Sequence, residues 1–130
     1  MDLSIVIVSW NISGLLRQCL ESVYAHPPEC LFEVVVVDNS SDDDSVPMVQ
    51  KRYPGVRLFT NRDNAGFARA TNQGIRATLG RYALLLITGA IVQLGALSTM
   101  VGFVAAHSQG ALTATSPRRN QEAFTNSLVL

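Results

Sequence analysis

Charge is scarce in this 130-residue chain: 15% of residues are Asp, Glu, Lys or Arg, and ten basic residues cancel ten acidic ones. A chain with no net field does not gather nucleic acid or an anionic membrane by electrostatics, so neither is an expected partner. The only acidic run, Asp42-Asp43-Asp44, reads as a solvated turn. Cysteine is scarcer still. Cys19 and Cys30 are too few for a disulfide framework or a four-ligand zinc site. The two histidines, His26 and His107, fall at predicted helix ends, where capping or exposure suits them better than catalysis. No GxGxxG follows the first apolar run and no GxxxxGK[ST] occurs, so the dinucleotide fingerprint and the phosphate loop are both missing. No Ser/His/Asp arrangement stands out. The start lacks a basic n-region and does not read as a secretory signal, which makes a reducing cytoplasm the expected compartment.

One stretch lacks charge altogether. Tyr82 to Ala106 is long enough to span a bilayer. Thr88-Gly89, Gln93, Gly95, Ser98, Thr99 and Gly102 interrupt it, and its pattern changes midway from an unbroken apolar run to spaced apolar positions. It reads as a buried strand followed by an amphipathic helix, and no membrane span is expected.

What the chain does have is apolar residues, 48% of the total, enough for one packed domain. Strand and helix patterns alternate. Leu3–Ser9 is a run rich in β-branched residues, a buried first strand. Leu15, Leu16, Cys19, Leu20 and Val23 then recur at helical spacing, with Ser13 as N-cap and His26-Pro27-Pro28 as the stop. Strands follow at 32–37, 56–60 and 82–87. Helices are expected around Val46, Val49 and Tyr53, over 67–78 with Gly80 as its stop, and through Leu97, Met100, Val101 and Val104. A fifth strand is expected over 111–115. This alternation predicts right-handed crossovers, a parallel sheet and helices on both faces, a Rossmann-like three-layer α/β/α domain.

In such sheets ligands bind beyond the carboxyl ends of the strands. Those ends read Ser9-Trp10-Asn11, Asp38-Asn39-Ser40, Asn61 to Asn64 and Thr88-Gly89, three of the four rich in amide, hydroxyl or carboxylate groups. The amino-terminal edge shows no comparable set. Asn64 reads as the cap of the helix starting near Phe67, and Gly66 as a point of close backbone approach. A helix N-terminus placed there could support phosphate or sugar oxygens, with Arg69 in its first turn. Asn72 and Gly74, further along, fit helix–sheet packing as well as binding.

Three segments in this order resemble the family-2 glycosyltransferases, in particular the rhamnosyltransferase-like branch: Ser4-Ile-Val-Ile-Val-Ser-Trp-Asn11, Phe32-Glu-Val-Val-Val-Val-Asp-Asn-Ser-Ser-Asp42, and Asn61-Arg-Asp-Asn-Ala-Gly-Phe-Ala-Arg-Ala-Thr-Asn-Gln-Gly74. The resemblance continues through Gly80-Arg-Tyr-Ala-Leu-Leu-Leu86 and Gly95-Ala-Leu97. It implies a GT-A fold, here truncated, that transfers a sugar from a nucleotide donor, a UDP- or dTDP-sugar, to an acceptor hydroxyl with inversion. Residue by residue it places Asp38 against the base N3–H, flanked by Ser9, Trp10 and Asn11. Asn61, Asn64, Gly66, Arg69 and Thr88 complete the expected donor set. A carboxylate suits the base because it is acceptor-only when ionised. At the end of a strand and facing a cleft, Asp38 is expected to pack against little; the bland reading of the same residue is an Asx turn.

The sequence departs from the family pattern after the fourth strand. There the family places an Asp-containing signature that holds Mg²⁺ or Mn²⁺ against the donor diphosphate. Here Leu84-Leu85-Leu86 is followed by Ile87-Thr88-Gly89-Ala90, which supplies no carboxylate for a hard cation. No metal ligand and no catalytic base are therefore assigned. Residues 1–116 are read as the nucleotide-sugar-binding half of a GT-A domain, and 117–130 as a loosely ordered polar tail. The competing reading is a non-catalytic nucleotide-binding or interaction module of the same fold, with a bare helix surface that pairs two chains as a homodimer. A receiver-type domain with Asp38 as phosphoacceptor fits less well, since no Asp pair follows the first strand.

Overall fold

The computed structural model describes residues 1–106 together with the backbone of 115–118 and 122–125. Its centre is β1 (Leu3–Ser9), hydrogen-bonded in parallel along its whole length to β2 (Phe32–Asp38) and on its other side to β4 (Tyr82–Leu85). β3 (Arg57–Thr60) adds outside β2, giving the order β3-β2-β1-β4, all parallel. Thr115–Arg118 and Glu122–Thr125 form a separate antiparallel pair, β5 and β6. The strand expected over 111–115 lies, apart from Thr115, outside the described residues.

The strand side chains alternate between two packed faces, which is why β1 and β2 read as unbroken apolar runs. Leu3, Ile5, Ile7, Val34 and Val36 face α1 (Ser13–Ala25), α2 (Ser45–Arg52) and α4 (Ala96–Ala106). Those helices supply Leu16, Cys19, Leu20, Val23, Met48, Val49, Leu97 and Val104. Ile5, Ile7 and Val36 are fully buried, each contributing roughly 1.5–3 kcal/mol of transfer free energy. The opposite face carries Val6, Val35 and Val37 and is covered by α3 (Phe67–Arg76), which buries Ala70, Thr71 and Gly74. A Cβ on Gly74 would lie 2.5 Å from Val6 Cγ1 and 3.2 Å from Val37 Cγ2, so the glycine lets α3 lie directly on the sheet.

Several expected boundaries move for local reasons. β3 begins at Arg57 because the Val56 N–H turns to Tyr53 O (3.0 Å). Past β4, the Leu86 N–H still bonds Val6 O (2.9 Å), and Ile87 O then accepts the Ala90 N–H (2.8 Å) to make a turn. α3 stops at Arg76. Gly80 serves not as its cap but for close approach, since a Cβ there would lie 2.7 Å from Ser4 N. α4 is not amphipathic as expected: Phe103, Ala105 and Ala106 are exposed, and Ser98 and Thr99 are its only polar residues. Among the described residues no helix is long and apolar enough to cross a membrane.

Candidate functional site

The β1–β2 register sets Ser9 opposite Asp38, and the β2–β3 register sets Asp38 opposite Thr60. Backbone bonds carry this edge past the strands: Asn39 N–H donates to Ser9 O (2.8 Å) and Asn61 N–H to Asp38 O (2.9 Å). Thr88 reaches the same end through the β1–β4 ladder and is buried. Ser9 Oγ is buried without a hydrogen-bond partner among the described residues. Trp10, next in the chain, is 52% exposed. Asn11 follows at φ 50°, a left-handed conformation that Asn tolerates. Its N–H donates to Ser41 Oγ (2.9 Å) and its Oδ1 accepts the Asp42 N–H (2.7 Å), tying the β1 turn to the β2 turn.

Asp38 differs from the expectation. It does not face an open cleft, being 2% exposed, and both its oxygens are engaged by Ser41: Oδ2 accepts the Ser41 N–H (2.9 Å) and Oδ1 the Ser41 hydroxyl (2.6 Å). The bond reaches an N–H three residues on, one beyond the Asx turn of the bland reading, but like that turn it spends the carboxylate on the chain's own downstream backbone.

Asn64 differs as well. The residue at the α3 N-cap is Gly66, at φ 84°, and no side chain caps the helix. Asn64 Oδ1 instead accepts the Gly66 N–H (2.8 Å), closing the loop one residue before the helix. Asn61 is half-buried, whereas Gly66, Arg69 and Asn72 are exposed, and Arg69 has no ion pair among the described residues.

Two residues that matter at this edge had no assigned role. Asn39, 3% exposed, accepts from Asn61 Nδ2 (3.0 Å) and Ala65 N (3.1 Å) and donates to Gly66 O (3.2 Å). Asp43, read as part of a solvated run, serves two helix starts. Its Oδ2 accepts the Ser13 N–H of α1 (3.0 Å), and its Oδ1 accepts the Ser45 N–H (3.0 Å) and hydroxyl (2.5 Å) of α2. Ser13 is thus capped by another loop and is not itself the cap. Burial alone would raise the Asp43 carboxyl pKa, but these bonds together hold it below the usual range. An Asp-x-Ser spacing after a turn is the only sequence signal for this role.

The amino-terminal edge also corrects the expectation, because it holds a polar set of its own. Glu33 Oε2 accepts from Ser4 Oγ and from the Leu79 N–H, both at 2.6 Å, and Oε1 accepts from Arg57 (2.8 Å). Arg57 donates in turn to Ala77 O (2.7 Å), and Ser4 Oγ accepts the Gly80 N–H (2.8 Å). Burial alone would raise the Glu33 pKa, but its bonds from Ser4, Arg57 and Leu79 outweigh burial and lower it. Every member is satisfied internally. This is a clasp on the C-terminal end of α3, not a site.

The residues after β4 do not fit a hard cation, since Ile87, Thr88, Gly89 and Ala90 offer one hydroxyl and no carboxylate. Among the described residues no three His, Cys, Asp or Glu side chains gather at one point.

Residues 4–129 match the description of glycosyl transferase family 2. A PGL/p-HBAD biosynthesis glycosyltransferase of Mycobacterium bovis is 30% identical over 108 residues, 80% of this chain and 42% of that protein. A poly(ribitol-phosphate) beta-glucosyltransferase of Bacillus spizizenii is 31% identical over 91 residues, 66% of this chain and 14% of that protein. The chain therefore spans about two-fifths or less of the length of these relatives. Among solved structures, the mannosyltransferase PcManGT of Pyrobaculum calidifontis, in complex with GDP-Man and Mn²⁺, superposes with a TM-score of 0.77 at 24% identity, over 91% of this chain and 36% of that one. S. aureus TarS 1-349 in complex with UDP gives 0.74 at 22% identity, over 83% and 33%. The four-stranded parallel sheet with its helices is that of the GT-A neighbours, the fold class read from the sequence.

Proposed function

This chain belongs to glycosyl transferase family 2, and from that premise we propose that its carboxyl edge binds the nucleotide part of a nucleoside-diphosphate-sugar donor. The reading rests above all on the Ser9–Asp38 register pair, which brings a carboxylate and an unpartnered buried hydroxyl side by side at the ligand end of the sheet. Asp38 is assigned to the base. Two of its lone-pair directions are taken by Ser41 and two remain for a ring N–H, as in uracil or thymine. The Ser41 turn must yield enough to admit that donor. Trp10 offers an exposed ring beside it for stacking, worth roughly 0.5–1.5 kcal/mol for an aromatic pair. Asn61, Asn64, Gly66 and Arg69 lie toward the start of α3, where the diphosphate and sugar are assigned, with Thr88 on the β4 side.

Several neighbours support this donor class. TarS has been solved with UDP and with UDP-GlcNAc, and PcManGT with GDP-Man and Mn²⁺. For this chain the donor is assigned to the UDP- or dTDP-sugars, held for inverting transfer to an acceptor hydroxyl in the cytoplasm. Donor binding, rather than transfer, is the activity assigned to these 130 residues. Ile87-Thr88-Gly89-Ala90 brings no charge to the place where the resemblance puts the metal acid.

The test is calorimetry of UDP and dTDP with and without Mn²⁺. Binding of either nucleotide that changes little on adding Mn²⁺ is expected, and Asp38→Ala should weaken it by about 1–3 kcal/mol. Gly89→Asp should introduce Mn²⁺ dependence. Sugar transfer by the unmodified chain, or equal nucleotide affinity in Asp38→Ala and parent, would overturn the assignment.

A further inference from the structure

Asn39 makes more cross-loop bonds than any other side chain at the carboxyl edge. Its amide is 3% exposed and joins three separate points: the side chain of Asn61, the N–H of Ala65 and the carbonyl of Gly66. A backbone N–H only donates and a carbonyl only accepts, so these two partners fix which end of the amide points where. They also fix the residue type. An ionised Asp offers acceptors alone, whereas an amide offers both halves. The residue's own N–H bonds Ser9 O (2.8 Å), so the tips of β1 and β2 and the entry to α3 meet at one residue. Beyond it Ser40, at φ 70°, turns so that its hydroxyl donates to Arg62 O (3.0 Å), a second tie across the same loop.

The loop held this way, 61–66, carries Asn61, Asn64 and Gly66. Its side chains are mostly exposed, and its one internal tie is the bond from Gly66 N–H to Asn64 Oδ1. Such a segment does not hold one conformation by its own contacts, and ordering it at the moment of binding would subtract from affinity.

We infer that Asn39 is a positioning residue: it holds the Asn61–Gly66 loop in its binding conformation before the donor arrives. This rests on the donor-site reading above. It adds a residue that need not touch the donor and acts through the loop that does.

The experiment uses the full chain with two variants, Asn39→Ala and the closer Asn39→Asp, and two readouts: amide hydrogen exchange at Ala65, and UDP affinity against pH. In Asn39→Ala the Ala65 amide should exchange at least tenfold faster, the equivalent of one lost hydrogen bond. Asn39→Asp keeps both acceptor bonds, so Ala65 stays protected, but the carboxylate cannot donate to Gly66 O. UDP affinity should therefore fall roughly tenfold at pH 7 and return toward the parent as the new carboxyl is protonated, since its O–H then replaces the missing donor. The parent, measured over the same pH range, subtracts the titration of Asp38, Asp42, Asp43, Asp63 and every other native group. Unchanged protection at Ala65 in Asn39→Ala would overturn the inference. So would an Asn39→Asp affinity that follows the parent at every pH. If the parent binds no UDP, the donor-site reading fails, and the exchange arm decides by itself whether Asn39 holds the loop.

Discussion

Gly74→Ala is the substitution that most directly tests how α3 meets the sheet. The added methyl would sit 2.5 Å from Val6 Cγ1 and 3.2 Å from Val37 Cγ2, against an ordinary carbon–carbon contact of about 3.5–4.0 Å. Val6 is fully buried in the central strand and its branched side chain is stiff at χ1, so the methyl cannot rotate aside. Either Val6 leaves its rotamer or α3 lifts by about 1 Å, and overpacking of this kind costs roughly 1–3 kcal/mol. Alanine also gains up to about 1 kcal/mol of helix propensity over glycine, which partly conceals the clash. Gly14→Ala removes that ambiguity. Gly14 lies in the first turn of α1 with nothing within 4 Å of the added Cβ, so it reports the propensity gain alone, about 0.4–1 kcal/mol of stabilisation. The difference between the two variants isolates the steric term and should be about 1–3 kcal/mol. Urea unfolding followed by circular dichroism measures it, and with a slope near 2 kcal/mol/M the midpoints should separate by roughly 0.5–1.5 M. If Gly74→Ala is as stable as Gly14→Ala, α3 does not depend on that close approach.

Other residues give sharper local tests. Glu33→Gln should cost about 1–3 kcal/mol at pH 7 by weakening the clasp on α3. Because the folded Glu33 pKa is lowered, its contribution is complete above the usual glutamate range, roughly pH 4.3, and is lost as pH falls through the folded value. The stability curves of parent and variant should thus converge in acid; a constant gap down to pH 2 would refute the linkage. Asp43→Ala removes acceptors from the starts of α1 and α2 and should lower stability by about 1–2 kcal/mol, read from thermal unfolding, while a loss below a few tenths would show that water replaces it. Burial pushes the Cys19 thiol up to about 12, whereas half-buried Cys30 is raised by burial and then by the nearby Asp2 charge. A thiol reagent followed by mass spectrometry should label Cys30 well before Cys19, and equal rates would contradict the packing of α1.

How much of this was legible depended on the distance over which a residue acts. β1 was readable to both ends because a β-branched apolar run without charge, Gly or Pro admits one interpretation. The parallel sheet followed from alternation, and its carboxyl edge from the sheet. Asn39 was not readable. Its partners lie 22 to 27 residues ahead, and in sequence an Asn after a strand is only a turn former. Asp43 hid in an acidic run for the same reason, its α1 partner lying 30 residues behind. Asn64 was misread as a cap because a side chain that reaches two residues ahead fits both a cap and a loop closure, and Gly66 at φ 84° decided it. The strand-end position of Asp38 is legible, and so is its local turn as one of two readings; what the sequence does not carry is the choice between them, since an open cleft and a turn call for the same residue type there.

The central position of β1 also sets a timetable for synthesis. Its partner β2 follows after a short helix, but the strand that covers its other edge ends only at Leu85. Between the completion of Asp38 and that of Leu85 the nascent chain carries Ile5, Val6 and Ile7 in a strand with one unpaired edge. At 5–20 residues per second this lasts roughly 2–10 s, long compared with the microseconds of hairpin formation. An exposed edge of this composition is a template for pairing with another chain. The longer that edge waits for β4, the more chance it has to pair with another chain. A slow stretch of translation that acts once β4 has left the ribosome should do no harm, whereas one that holds β4 back after β2 has emerged should drive the chain into aggregates.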